Sequence, residues 1–387
     1  MSKDCLQIMI VAGEASGDLH AAKLVHELRA AVDGKIRFFG AVGPKMREAG
    51  VEAILRSDDL AIVGLLEIAK ALPIFLKAFS TLKEAAKKNQ PDLAVLVDFP
   101  DFNLKLAKTL KKQGIRVVYY ISPQLWAWRS YRVRAIKKYV DLMITILPFE
   151  KDWYETQGFS NVEYVGSPLA KEVHAHRSKD EFCSEHDIDA TRPLVALLPG
   201  SRHKEIVRIL PDMIRAAVSM AEQKSDLQFV VALASERSLA DAREALRDIE
   251  VHSPLTDDLF VVAGETFDAL NASDVAAVTS GTATLQSAII GTPMTIVYKS
   301  SLLNYVLLRP LISVEHFGLV NLIAGERVAN ELIQRDFTPE TLSRDLFKLL
   351  EPNENRKMRL RLQQTVDKLG HGGASKRAAD AILKLIS

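Results

Sequence analysis

Short, almost wholly apolar runs recur along this chain at 6–13 (LQIMIVAG), 36–43, 92–99 (DLAVLVDF), 116–122, 142–148 and 162–166, bounded by Gly, Pro or Asp and mostly separated by helix-length segments. Strands buried on both faces read this way, and the intervening helices are the crossovers that parallel strands require. The fold class that follows is α/β with a doubly wound parallel sheet. A polar stretch at 167–192, rich in His, Asp and Glu and poor in periodicity, reads as a linker, after which a second series begins at 193–198 (PLVALL), 227–234, 259–263, 275–279 and 294–298. Helical patterns beginning near 338, 354 and 372 close the chain. At 387 residues the chain exceeds one ordinary core, so two Rossmann-like domains are expected, 1–170 and 190–350, with the helices of about 355–387 able to pack back on the first. Open sheets of this kind bind ligands beyond the carboxyl ends of their strands, which puts the expected site in a cleft where two such edges face one another.

Composition excludes several classes. Hydrophobic content of 48%, charged content of 26% and the lack of low-complexity runs mark a globular protein. Cys5 and Cys183 form no ligand or disulfide pattern, and the N-terminus carries no export signal, so a reducing, cytoplasmic setting is expected. The net charge of +1 hides an asymmetry: residues 1–170 hold 24 Lys+Arg against 19 Asp+Glu, and the remainder 26 against 30. That surplus is too small to indicate nucleic acid, but it suits a face that meets anionic headgroups or phosphorylated substrates.

Five loops carry the chemistry. The first strand runs into Gly13-Glu14-Ala15-Ser16-Gly17-Asp18 and then a helix, a turn that offers Gly13, Ser16 and Asp18 to a substrate, with Glu14 as a further catalytic carboxylate; Ser16 or Asp18 could equally cap the helix. It departs from the GxGxxG dinucleotide pattern, which disfavours a nicotinamide-dependent dehydrogenase. The segment at 92–99 leads into Asp98-Phe99-Pro100-Asp101-Phe102-Asn103. Asp101 reads as a helix cap, whereas Asp98 closes an apolar strand without an evident structural duty and is the candidate general base, with Asn103 beside it. A hydrogen-bonded turn residue is the plainer alternative for Asp98. Ser122-Pro123-Gln124-Leu125-Trp126-Ala127-Trp128-Arg129 places Gln124, Trp126 and Trp128 where a sugar could lie, although the two indoles would also serve to seal the domain edge. Arg132, Arg134, Lys137 and Lys138 follow and can meet a phosphate or form a solvated helix face.

In the second half, Leu198-Pro199-Gly200-Ser201-Arg202 brings Ser201 and the Arg202 guanidinium to a helix start, where a diphosphate would bind. Ser280-Gly281-Thr282-Ala283-Thr284 repeats the pattern, and Gln286, one turn into the following helix, is placed to bind ribose hydroxyls. No metal-ligand spacing accompanies these loops, so neither metal nor cofactor is expected, and the leaving diphosphate would be met by Arg202 and the helix dipole. Residues 60–79 (LAIVGLLEIAKALPIFLKAF) are the most apolar stretch, yet Glu67, Lys70, Pro73 and Lys77 argue against a span. On a helical wheel the charges share a narrow stripe and leave Ile62, Val63, Leu65, Leu66, Leu72, Phe75 and Leu76 for a membrane surface or an acyl chain, or for the domain core.

Together GEASGD (13–18), VGPKM (42–46), DFPDFN (98–103), SPQLWAW (122–128), LPFE (147–150), LLPGSR (197–202), SGTATL (280–285) and NLIAGE from Asn321 resemble the lipid-A-disaccharide synthases, glycosyltransferases of the GT-B fold. The resemblance covers nearly the whole chain. It implies inverting transfer of 2,3-diacylglucosamine from UDP to 2,3-diacylglucosamine 1-phosphate, with Asp98 as base, UDP held by Arg202 and the Ser280 loop, and Asn321 in the active site. It implies also peripheral attachment at the inner face of the cytoplasmic membrane and a homodimer that exchanges C-terminal segments. Three positions depart from the family pattern: Ser167 stands where Gly-His-Pro is usual, Gln286 where Glu is usual, and Val320 where Pro precedes the asparagine. A UDP-sugar epimerase of similar fold and a membrane-docked UDP-sugar-binding protein that has lost catalysis are the competing readings.

Overall fold

The computed structural model describes residues 5–32, 35–57, 68–246, 255, 257–301, 314–370 and 372–386, with the backbone alone at 68–72. The chain forms two compact units, residues 1–168 with 371–387 and residues 169–370.

The first unit holds strands β1 (Cys5–Ala12), β2 (Lys35–Val42), β3 (Glu52–Arg56), β4 (Leu93–Val97), β5 (Arg116–Tyr120), β6 (Leu142–Thr145) and β7 (Val162–Tyr164) in one parallel sheet ordered β3-β2-β1-β4-β5-β6-β7. Period-two alternation sends successive side chains to opposite faces. Ile8, Ile10 and Ala12 enter one core with Leu24, Val25 and Leu28 of helix Ala15–Ala31. Met9 and Val11 enter the other with Leu106 and Leu110 of helix Pro100–Lys112 and with Leu82 of helix Ile68–Asn89. Each such fully buried aliphatic side chain contributes about 1.5–3 kcal/mol, so both faces of β1 are fixed at once and a register slip would forfeit both cores.

The final helix, Ala374–Ile386, belongs to this unit: Ala378, Ala379 and Ile382 are buried with Leu24 and Leu28, Arg377 Nε donates to the Val165 carbonyl at 2.8 Å, and Arg116 Nη1 donates to Leu385 O at 2.9 Å. Helix Pro352–Asp367 instead buries Met358 and Leu362 in the second unit, so the C-terminal helices divide between the two.

The second unit repeats the plan with β8 (Leu194–Leu198), β9 (Gln228–Leu233), β10 (Leu259–Ala263), β11 (Val275–Thr279), β12 (Met294–Tyr298) and β13 (Glu331–Ile333), all parallel and ordered β10-β9-β8-β11-β12-β13. Two edge strands went unread in the sequence. β3 is largely exposed and carries Glu52 and Arg56, and β13 spans three residues, so neither shows the apolar run that betrays a central strand. The polar stretch taken as a linker forms helices Leu169–Glu172 and Lys179–Glu185, the latter opened by a reciprocal cap in which Ser178 N donates to Glu181 Oε2 (2.8 Å) and Glu181 N to Ser178 Oγ (3.3 Å).

In each sheet the strand order reverses once, between β1 and β4 and between β8 and β11, and crossovers leave these neighbours on opposite faces. The gap at their carboxyl ends is where open α/β sheets bind ligands.

Candidate active site

At the first reversal Ala12 of β1 lies beside Val97 of β4, so the GEASGD and DFPDFN loops leave the sheet side by side. Gly13 is required there: a Cβ would meet the Phe99 ring at 2.5 Å. Asp98 and Phe99 both take left-handed backbone (φ 47 and 49), a conformation that costs a non-glycine residue about 1–2 kcal/mol and persists only where surroundings over-determine it. Here they do. Tyr119 Oη donates to Asp98 O at 2.6 Å, Asn103 Nδ2 donates to Asp98 O (2.8 Å) and Val97 O (3.2 Å), and Asp98 N donates to Tyr120 O (3.0 Å). Pro100 then starts the helix with its ring φ already helical. Burial pushes the Asp98 carboxyl up to about 6; the Glu14 carboxylate raises it further, while the Phe99 N–H pulls it down. A carboxylate tuned there is ionised at neutral pH and still basic enough to take a proton.

The neighbouring side chains divide into those that face out and those the fold consumes. Glu14, Ser16 and Gln124 are exposed. Asp18, expected to touch substrate or cap the helix, is buried and is not the cap: its carboxylate accepts from Gly43 N (2.9 Å), Lys45 N (2.8 Å) and Met46 N (3.1 Å), pinning the turn after β2. The helix is opened by Glu14, without a side-chain cap. Asn103, also expected at the substrate, is fully buried and holds the Asp98 turn from beneath. Asp101 is not the cap of its helix, which begins from Phe99; it pairs with Arg132 and with Arg129 (3.4 Å).

The two tryptophans part company. Trp128 is 41% exposed, with the Arg129 guanidinium 4.1 Å from its ring centroid. Trp126 is buried, edge-on to Phe149, and its Nε1 donates to Glu150 Oε1 at 3.1 Å, so it anchors the loop. Glu150 also accepts from Leu147 N (3.1 Å), and Ser122 Oγ meets Tyr154 Oη at 2.9 Å. Burial pushes the Glu150 carboxyl up to about 7 against the pull of the Leu147, Trp126 and Ile146 donors. Tyr119 and Glu150 were missed in the sequence, where nothing separates a Tyr that supports a turn from any other strand Tyr. A Glu three residues after a helix start, as in LPFE, is a recognisable capping signal.

At the second reversal Thr279 Oγ1 donates to Leu198 O at 2.9 Å, tying the end of β11 to that of β8. Arg202 opens helix His203–Gln223 with its side chain 81% exposed and paired to Glu205 at 2.8 Å. Glu205 Oε2 also accepts from Ser201 N (3.2 Å) and Arg202 N (3.4 Å), so this helix start supplies an outward guanidinium more than free amides. Helix Thr282–Ile290 differs: Gly281 (φ 146) precedes it with open space where a side chain would stand, and no side chain caps it. Its first-turn N–H groups are the natural anion site, with Thr282 exposed and Ala283 and Gln286 half-buried behind.

Ser280 is held from a third segment: its Oγ donates to Phe317 O (2.7 Å), while Phe317 N and Gly318 N donate to Glu331 (3.0 and 2.9 Å). Asn321, expected in the catalytic centre, lies fully buried behind this segment. Its Nδ2 donates to Ala329 O and Glu331 Oε1 (both 2.8 Å), and its Oδ1 accepts from Val328 N and Ala329 N (both 2.9 Å). With its amide committed to these four bonds, Asn321 supports the segment that holds the Ser280 loop. Val320 is fully buried in the same core, and Ser167 is buried with its hydroxyl unpartnered among the described residues.

Of the apolar stretch, Ile62, Val63, Leu65 and Leu66 lie outside the described residues, as does the side chain of Leu72. Phe75 is half-buried and packs on Phe99 and Phe102 (ring centroids 6.1 and 6.3 Å) against the core of the first unit. Leu76 is 61% exposed and Ile74 44%. Among the described residues no helix is long and apolar enough to cross a membrane.

Solved structures resemble this architecture. A putative UDP-N-acetylglucosamine 2-epimerase from Listeria monocytogenes superposes with TM-score 0.65 at 14% identity (98% of this chain, 96% of that one), and the glycotransferase of kitacinnamycin with 0.62 at 16% (99% of each). At such identities they establish the fold, shared by GT-B glycosyltransferases and epimerases, and nothing narrower. Sequence relatives go further. The lipid-A-disaccharide synthase of Trichlorobacter lovleyi is 43% identical over 381 residues, covering 98% of this chain and 97% of its own. That of Geobacter sulfurreducens is 41% identical over 382 residues, with the same coverage. The family model described as lipid-A-disaccharide synthetase matches residues 8–385, and the chain therefore belongs to the lipid-A-disaccharide synthase family.

Proposed function

We propose that this chain joins UDP-2,3-diacylglucosamine to the 6-hydroxyl of 2,3-diacylglucosamine 1-phosphate, giving the β-1,6-linked disaccharide 1-phosphate and UDP in lipid A biosynthesis. Family membership supports the reaction, and the observation that carries the mechanism is the half-buried, over-determined turn at Asp98. The Asp98 carboxylate takes the proton of the acceptor hydroxyl as its oxygen attacks the anomeric carbon and the bond to UDP breaks. Burial first, and the Glu14 carboxylate second, keep Asp98 basic enough to do so. Charge that develops on the departing diphosphate is met by the Arg202 guanidinium and the open amide end of helix Thr282–Ile290, without a metal ion, and Gln286 binds the ribose.

Both substrates carry acyl chains, and the exposed Ile74 and Leu76 on helix Ile68–Asn89 support peripheral attachment at the cytoplasmic face of the inner membrane. A homodimer that exchanges the helix Ala374–Ile386 completes the proposal; the packing of that helix on the first unit is the surface a partner's copy would occupy.

The test is UDP release from the donor in detergent micelles containing a chelator, with and without acceptor. Release that requires acceptor and yields the disaccharide is the expected result. Release at the same rate without acceptor, or an epimerised donor, would overturn the proposal.

A further inference from the structure

The loop after β5 carries a charge cluster that the transfer step leaves unused. Asp101, three residues beyond Asp98, pairs with Arg132 and, at 3.4 Å, with Arg129. Arg129 has left-handed backbone (φ 57), and its guanidinium lies 4.1 Å from the Trp128 ring centroid, which narrows its freedom. The side chains of Arg129, Arg132 and Asp101 are 36%, 19% and 70% exposed. Ion pairs to a carboxylate as exposed as Asp101 add little to stability, so the fold does not account for the cluster. It flanks the base: Asp98, Arg132 and Asp101 all act electrostatically on the Tyr119 hydroxyl, which is bonded to the Asp98 carbonyl at 2.6 Å.

We propose that Arg129 and Arg132 form the subsite for the phosphomonoester of the acceptor, with Asp101 holding the two guanidiniums together when no phosphate is bound. The inference rests on the transfer reaction proposed above. Two planar forks against one carboxylate leave a net positive charge, and a phosphomonoester offers them up to two negative charges and three acceptor oxygens. Of the two substrates only the acceptor bears a monoester. Its phosphate sits on C1, joined through the ring oxygen to C5, which carries the reacting C6 hydroxyl, so its site belongs beside the base and not on it.

The experiment compares native protein with the Arg129→Gln/Arg132→Gln double variant, using 2,3-diacylglucosamine 1-phosphate and its dephosphorylated form. Neither side chain belongs to the buried core and Gln keeps part of each aliphatic stem, so the substitutions leave the core intact. KM for the phosphorylated acceptor should rise about 10- to 100-fold, the worth of charged hydrogen bonds, while the donor KM stays within about twofold. Native and variant should handle the dephosphorylated acceptor alike. An unchanged KM for the phosphorylated acceptor, or an equal loss with both acceptors, would overturn the proposal. So would a variant that loses affinity for vesicles containing anionic phospholipid while its micellar KM is native, since the arginines would then serve a lipid headgroup. Equilibrium binding of the two acceptors without donor separates this inference from the transfer reading. Native protein that prefers the phosphorylated acceptor, through these arginines, yet never releases UDP would sustain the subsite and sink the transfer.

Discussion

Glu14 is the handle on the pH dependence of this protein. The Asp98 carboxyl is lifted from an ordinary 3.8 to about 6 by burial first and by Glu14 second, against the Phe99 N–H. A base acts only when ionised, so kcat/KM should fall about tenfold per pH unit below pH 6, leaving roughly a tenth of the plateau at pH 5. Glu14→Gln removes the second cause alone and should carry the acid limb part of the way back toward the ordinary carboxylate range. At pH 5 the variant should therefore retain a larger share of its plateau rate than native protein does. Stability must run the other way. A carboxyl raised in the folded state contributes stability that is fully present below its unfolded pKa and is lost as pH rises through the folded one; for Asp98 that window closes near pH 6 and for Glu150 near pH 7. Initial rates of UDP release from pH 5 to 9, paired with thermal melts in the same buffers, measure both trends. An acid limb that Glu14→Gln leaves in place would refute the assigned coupling, and a native limb already at the ordinary carboxylate value would refute the tuned base.

Three further outcomes follow from individual contacts. Asp18→Asn turns one of the acceptors of three backbone amides into a donor and should destabilise the first unit by about 2–3 kcal/mol in denaturant titration, with UDP affinity unchanged. Asn321→Ala abandons four buried hydrogen bonds and should cost about 2–4 kcal/mol and weaken UDP binding by calorimetry, because the segment that holds Ser280 loosens; a loss of turnover with native stability and UDP affinity would restore Asn321 to a direct role. Ile74→Ser with Leu76→Ser, both at exposed positions, should lower affinity for phospholipid vesicles and leave the melting temperature within about a degree or two, the expectation for surface substitutions.

Central strands and the loops that leave them were legible because a strand buried on both faces has to be apolar throughout and has to end in a turn. That placed Asp98, Arg202 and the Ser280 loop at carboxyl edges before their strands had neighbours. It could not reveal that β1 adjoins β4 or β8 adjoins β11, since strand order is a tertiary property with no local signature. Polar side chains were the least legible. Asp18, Trp126 and Asn321 are residue types that line sites and also types that tie backbone together, and the difference lies in partners distant in sequence: Gly43 to Met46 for Asp18, Glu150 for Trp126. Phe75 stayed open between a lipid surface and the domain core because helical periodicity cannot tell a bilayer from the aromatic ring of Phe99.

The most direct test concerns the stereochemistry of the bond made. One carboxylate acting as base on the acceptor allows a single displacement, which inverts the anomeric carbon, whereas passage through an enzyme-bound sugar would retain it. With an α-linked UDP donor, the one-bond carbon–proton coupling at the new linkage, read by NMR on the disaccharide product, distinguishes the two. A β linkage is the expected result; an α linkage would contradict single displacement and leave Asp98 without its role as base.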